Sequence, residues 1–207
     1  MNKHLIITGT GTDIGKTLAS SILMLGLDAD YWKPIQCGPP TDTDTVKQLT
    51  HAPLHRFHKE SYCFKNPLSP HLAAEMEHET IDIARIHVPP TQHHLLIEGA
   101  GGLMVPITHH LLQIDLFKSF HAPVILCART ELGTINHTLL SVDALKMHGI
   151  ALLGLIFIGP DMPDTTNTIL NFTKAKKLGH IPMLDDFSPR TLKNVFDRNF
   201  NKADFYV

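Results

Sequence analysis

The 207-residue sequence holds only three cysteines, Cys37, Cys63 and Cys127, too far apart to make a C-x-x-C pair. That excludes a disulfide framework and a cysteine-based structural zinc site and leaves free thiols. Charge of one sign is also missing, since 18 Lys and Arg stand against 20 Asp and Glu. With no such field to hold nucleic acid or an anionic membrane, neither is expected as a partner, and a small molecule fits better. No apolar run approaches the roughly eighteen residues of a membrane-spanning helix. The chain passes at once into an apolar strand, without a charged leader or cleavage site, so a soluble, cytoplasmic protein is expected. There is no internal repeat or low-complexity tract. At this length the chain can bury one sizeable core, and a single domain over residues 1–207 is expected. Histidine is plentiful, at fifteen residues. His51, His55 and His58 have helical spacing, but Pro53 interrupts any helix there, so these and the pairs His93-His94 and His109-His110 read as surface composition rather than metal ligands.

The most informative stretch is the beginning. Leu5 to Ile7 suits a buried parallel strand, and Gly9, Gly11 and Gly15 permit backbone angles closed to other residues. A helix follows from about Lys16. Strand, glycine loop, Lys-Thr and helix in register describe a phosphate cradle: inward-facing N–H groups, an ammonium from Lys16 for the terminal phosphates and a hydroxyl from Thr17 for Mg²⁺. The strict G-x-x-x-x-G-K-[ST] pattern is not met, because Thr10 stands where its first glycine belongs. The loop is a variant, and by itself says only that a nucleoside triphosphate binds.

Further along, Leu18 to Leu27 reads as a crossover helix and Ala29 to Lys33 as a second strand closed by Pro34. Residues 39–45 form a loop with capping residues that leads into a helix at Val46 to Leu49. Residues 51–93 are ambiguous, with a turn at 66–71, a helix at Leu72 to Met76 and a capped segment from Thr80 to Ile86. His94 to Glu98 is a short apolar strand followed at once by a loop, Gly99-Ala-Gly101-Gly102. Pro123 to Cys127 and Leu152 to Ile158 repeat the strand signature, a helix opens at Leu132 to Asn136 and runs to about His148, and a last strand lies near Gly179 to Met183. Strands alternating with helices imply a parallel sheet covered on both faces, with ligand at the carboxyl ends of the strands.

At those ends stand Thr17, either Asp42 or Asp44, and Glu98. Hard oxygen donors converging beside a triphosphate are what Mg²⁺ requires. Lys33 lies on the same edge and can neutralise charge on a transferring phosphoryl group. Taken singly, Asp42 and Asp44 equally suit helix capping, and Glu98 a solvated strand end.

Together, Gly9 to Thr17, Lys33-Pro-Ile-Gln-Cys-Gly38, Ser69-Pro-His71, Glu98-Gly-Ala-Gly-Gly-Leu-Met-Val-Pro106 and Leu132-Gly-Thr-Ile-Asn-His137 resemble the dethiobiotin synthetase family, in its order, over residues 3–184. The resemblance implies an α/β, P-loop NTPase-like three-layer sandwich whose mostly parallel central sheet carries helices on both faces. It implies a homodimeric, Mg²⁺- and ATP-dependent enzyme that closes a cyclic urea on 7,8-diaminononanoate with CO₂. Carried over by position, Thr12, Asp13, Ile14, Gly15, Lys16 and Thr17 form the nucleotide loop. Thr17, Asp44 and Glu98 become metal ligands, and Lys16 and Lys33 catalytic lysines. Cys37, Gly101 and Gly102 then belong to the substrate site, with Leu132, Gly133 and Thr134 offered across the dimer interface to the substrate's carboxylate.

Two positions depart from the family pattern. Cys37 replaces a hydroxyl donor with a weaker thiol. Ile158 stands where an asparagine reads adenine, which leaves other triphosphates open as co-substrates. Competing readings are a partitioning-type or other P-loop ATPase switch, and a nucleotide-binding homologue with weak turnover. The signature lysine of the partitioning proteins is replaced here by Gly11.

Overall fold

The computed structural model describes residues 4–206. The first part of the chain forms β1 (His4–Gly9), α1 (Lys16–Leu27), β2 (Asp30–Trp32), β3 (Ile35–Cys37), α2 (Asp42–Thr50), β4 (Phe57–His58), β5 (Tyr62–Phe64) and α3 (Pro70–Met76). Then come β6 (Leu95–Gly102), β7 (Pro106–Thr108), β8 (Leu111–Leu112), α4 (Gln113–Ser119) and β9 (Val124–Arg129). The last part supplies α5 (Thr134–Met147), β10 (Leu152–Ile158), α6 (Pro163–Thr173), β11 (Lys177–Ile181) and α7 (Pro189–Asn199).

Seven strands form one sheet in the order β11-β10-β9-β1-β6-β2-β4. Its pairings are all parallel, so the carboxyl ends of the strands share one edge. The apolar run of β1 serves both faces, as expected of a strand buried in a parallel sheet. Leu5 and Ile7 pack with Ile22 and Leu23 of α1 and with Leu192 and Phe196 of α7. Ile6 points the other way, into a cluster with Ile97, Ile114, Phe117 and Leu145. Leu126, Phe157, Val142 and Ile169 extend that side under α5 and α6. The result is the expected three-layer α/β sandwich. A glycine inside a helix costs about 1 kcal/mol relative to alanine, yet Gly26 is required in α1 because any side chain there would overlap the Phe196 ring.

The fold departs from the sequence reading in several places. Helix α2 already begins at Asp42, inside the loop expected over residues 39–45, because Thr41 caps it there. The strand expected to stop at Glu98 continues as β6 to Gly102, because Gly102 still pairs with Gly9 after a register shift. The capped segment from Thr80 is only a 3₁₀ turn at Ile83–Arg85. The final strand sits earlier than expected, at Lys177–Ile181, where its backbone pairs with β10. The ambiguous 51–93 region supplies the sheet's edge strand β4 and a small parallel pair, β3 with β5, beside the cleft. There His58 pairs with the Asp30 carboxylate at 3.2 Å.

Candidate active site

A cleft of about 830 Å³ opens at the carboxyl edge of the sheet. Its floor is the loop between β1 and α1, with Thr12, Asp13, Gly15, Lys16 and Thr17 on its wall. Asp13 and Gly15 hold left-handed backbone angles, φ 55° and 101°. At Gly15 the positive φ demands glycine, and an added Cβ would also lie in tight contact, 3.1 Å from the Ile158 side chain. The Arg129 guanidinium grips the Asp13 carbonyl from the end of β9. Ile14 turns away from the cleft and packs against the α1 side of the core. The first turn of α1 carries no side-chain cap and no acidic residue, so its N–H groups are left to an anion. Lys16 is buried and donates to the Gly11 carbonyl at 3.0 Å. Burial lowers its pKa, partly opposed by Glu98.

Opposite the loop, side chains from α1, α2, β6 and the link after β2 meet. The Thr17 hydroxyl lies 3.0 Å from Asp42 Oδ1 and 3.0 Å from Glu98 Oε1. The Lys33 ammonium contacts Asp42 Oδ2 and stands 3.4 Å from Glu98 Oε1. Burial alone would depress the pKa of Lys33, but Glu98 and then Asp42 more than offset this, and the ammonium is held above its ordinary value. One hydroxyl proton can satisfy only one of the two carboxylates facing Thr17. The other contact brings two oxygens together without hydrogen, a donor set suited to a hard cation that takes one or two carboxylates plus phosphate and water. Among the described residues no group of three or more His, Cys, Asp and Glu side chains is arranged to hold a metal. Two carboxylates and a hydroxyl are the set present.

Asp44, assigned as a ligand by position, is not part of this cluster. It is exposed, 3.1 Å from Lys47, and hydrogen bonds with Thr41 and Lys47 hold its carboxyl below the ordinary value. Successive helical residues are rotated by about 100°, so of two acids two positions apart only one faces a given cleft. Here it is Asp42, at the start of α2 just after the Thr41 cap. Glu98 is no solvated strand end either, being fully buried.

Three neighbours escaped the sequence reading. Ser20 Oγ donates to Glu98 Oε2 at 2.6 Å, and the Tyr31 hydroxyl donates to the same oxygen at 3.1 Å. Burial, and then Glu98, keep Tyr31 well above the usual phenol pKa, so it remains a donor. Gln36 accepts from the Asp42 backbone N–H at 3.1 Å and donates to the Gly38 carbonyl at 2.9 Å, which fixes where α2 begins. Spacing offered a signal for two of them. Ser20 is one helical turn beyond Thr17, and Tyr31 precedes Lys33 by two in the strand expected over Ala29 to Lys33, so each shares a face with a residue already singled out.

Cys37 lines the cleft, and burial pushes its thiol up to about 11, leaving it neutral at physiological pH. Gly101 also lines the cleft, at φ 74°, whereas Gly102 lies beneath it against the backbone of Gly9 and Gly11. Leu132, Gly133 and Thr134 are outside the cleft lining. Leu132 is fully exposed and Thr134 donates to the Arg129 carbonyl at 2.7 Å. Ile158 packs on the loop; the Gly159 N–H is held by the Ile181 carbonyl at 3.0 Å, and the Gly159 carbonyl lies 2.8 Å from His180 Nε2.

Comparisons with known proteins bear on the family and the fold. A family model described as "AAA domain" matches residues 3–191. In solved structures, the fold resembles a ParA family ATPase from Chlorobium tepidum (TM-score 0.56, 11% identity, 95% of this chain and 92% of that one). It also resembles the MinC:MinD complex of Aquifex aeolicus (TM-score 0.56, 13% identity, 94% and 88%). At such identities the likeness concerns the fold alone. In sequence, the ATP-dependent dethiobiotin synthetase BioD of Rhodopseudomonas palustris strain BisB5 is 46% identical across 99% of this chain and 98% of its own length. The enzyme of the same name from Brucella ovis is also 46% identical, with the same coverage. A match at this level over nearly the whole length means that the chain belongs to the ATP-dependent dethiobiotin synthetase family.

Proposed function

We propose that the cleft carries phosphoryl transfer from ATP to a carbamate, formed when one amine of 7,8-diaminononanoate captures CO₂, and then closure of the ureido ring of dethiobiotin. The carbamate oxygen attacks the γ-phosphorus and ADP departs. The second amine then attacks the carbonyl carbon of the mixed anhydride, releasing phosphate. No covalent bond to the protein is needed. Catalysis falls to positioning and to charge held where it accumulates. Lys16, bonded to the loop at rest, lies beside the anion site, and Lys33 projects its ammonium from the other wall. Thr17, Asp42 and Glu98 would hold Mg²⁺, which when bound supplies positive charge to the phosphate oxygens. The observation that carries the reading is that Thr17 and Lys33 each lie within 3.5 Å of both the Asp42 and the Glu98 carboxylates beside an uncapped helix start.

The reading extends to a homodimer in which Leu132, Gly133 and Thr134 of a second copy meet the substrate's carboxylate. What supports it is the full exposure of Leu132 and the further exposed side chains Leu140 and Met147 along α5. A cytoplasmic enzyme of small molecules also fits, since no helix among the described residues is long and apolar enough to cross a membrane. With Ile158 turned onto the loop, no side-chain amide reads the base at that position, and GTP or CTP should replace ATP with modest loss.

The test is phosphate release across the four triphosphates. Release that requires both the diamine and bicarbonate, and falls by about 10²–10³-fold in Lys16→Ala and Lys33→Ala, supports the proposal. Release indifferent to the diamine rejects it. A preference for ATP of about a hundredfold, roughly 2.7 kcal/mol, would mean that another group reads the base.

A further inference from the structure

The two oxygens of Glu98 keep different company. Oε1 faces Thr17 at 3.0 Å and Lys33 at 3.4 Å. Oε2 faces away from the cleft and takes both the Ser20 hydroxyl at 2.6 Å and the Tyr31 hydroxyl at 3.1 Å. Glu98, Ser20 and Tyr31 are each fully buried. The last torsion of a glutamate is broad and roughly two-fold, so the backbone and Cβ alone do not fix the carboxylate plane. Here two hydroxyls on separate elements, α1 and β2, bond the rear oxygen and fix it. Both donors are tied to the machinery in front. Ser20 follows Thr17 by one turn of α1, and Tyr31 precedes Lys33 by two residues.

We propose that Ser20 and Tyr31 are positioning residues that clamp the rear oxygen of Glu98 so that its forward oxygen is presented to the cation and to Thr17. Neither touches the reacting atoms, and the inference rests on the reading of Glu98 as a cation ligand given above. The clamp makes cation affinity depend on two hydroxyls that are not themselves ligands. A fully packed apolar ring would fill the Tyr31 site equally well, so the phenolic oxygen is what the clamp adds.

The test is a double-mutant cycle read by Mg²⁺ titration of the binding of a fluorescent ATP analogue, with turnover and thermal denaturation measured in parallel. Tyr31→Phe and Ser20→Ala should each raise the half-saturating Mg²⁺ concentration about tenfold, the worth of one hydrogen bond to a charged group. They should lower kcat while leaving KM for the diamine unchanged. In a Glu98→Gln background, Tyr31→Phe should shift Mg²⁺ half-saturation no further. Unchanged Mg²⁺ half-saturation in both single variants, or effects that multiply in the double variant, would overturn the clamp while leaving the proposed function intact. If Glu98→Gln itself alters neither Mg²⁺ half-saturation nor turnover, the proposed function fails and the clamp with it. Should Tyr31→Phe not fold, the Ser20→Ala cycle is read in the same way.

Discussion

Helices α1 and α5 both start from a glycine in the left-handed region, Gly15 at φ 101° and Gly133 at φ 95°, and neither start has a side-chain cap or an acid in its first turn. Around Gly15, Ile158 closes in to 3.1 Å of where a Cβ would be, and Lys16 behind it is buried; around Gly133 nothing lies within 4 Å, and Leu132 before it is fully exposed. The same local geometry is thus finished by this chain in one place and left open in the other. A helix start is only a source of N–H groups. What makes it a site is the set of side chains that face it, which at α1 are Lys33, Asp42 and Glu98.

Removing the ammonium from the finished start should have the largest effect. Lys16→Ala is expected to lower diamine-dependent phosphate release by about 10²–10³-fold, the usual worth of one group aimed at developing charge, with a folded protein by circular dichroism. Lys33→Ala should lose as much turnover and also thermal stability, because deleting one partner of a buried ion pair costs about 3–5 kcal/mol. Next, Leu132→Asp breaks the open start. It should shift the protein to monomer in sedimentation and raise KM for the diamine about tenfold, the loss of one charge-assisted contact, while nucleotide affinity stays the same. A monomer with unchanged KM would show that α5 contributes nothing across an interface.

The glycines sharpen the contrast further. Gly133→Ala meets backbone strain alone and should cost about 1 kcal/mol in urea denaturation. Gly15→Ala adds a tight contact that Ile158 must yield to, and should cost about 2–3 kcal/mol and weaken nucleotide binding as well. Equal costs would remove the distinction between a packed and an open start. The smallest effect belongs to Asp44→Asn, which changes a capping-turn acid that faces solvent. Turnover should stay within about twofold and stability within about 0.5 kcal/mol at neutral pH. Because hydrogen bonds hold the Asp44 carboxyl below its ordinary value, its contribution is present above the unfolded pKa of about 4 and is lost as pH falls through the folded one. The difference from wild type should therefore vanish in acid. Asp42→Asn, by contrast, should be among the damaging variants.

Much of this was legible in the residues. The apolar β1 run, the glycine loop and Lys16-Thr17 declared a phosphate site because strand burial and positive φ leave local marks. Glu98 was legible as an acid following an apolar run, though not as a buried one. Asp42 and Asp44 were not separable, since both suit a capped first turn and only the docking of α2 decides which faces Lys33. Residues 51–93 were least legible. Strands of two or three residues, such as β4 and β5, are too short for periodicity to register.

Family, fold class and the chemistry of the loop were written in the chain itself, because they depend on residue types at short, fixed spacing. Which carboxylate serves, which hydroxyls stand behind Glu98 and whether a glycine-led helix start is closed or open were decided only when distant elements packed. Most of those contacts join residues distant in sequence, such as Thr17 with Asp42, 25 positions on, and with Glu98, 81 positions on, and no local pattern encodes a distance across a sheet.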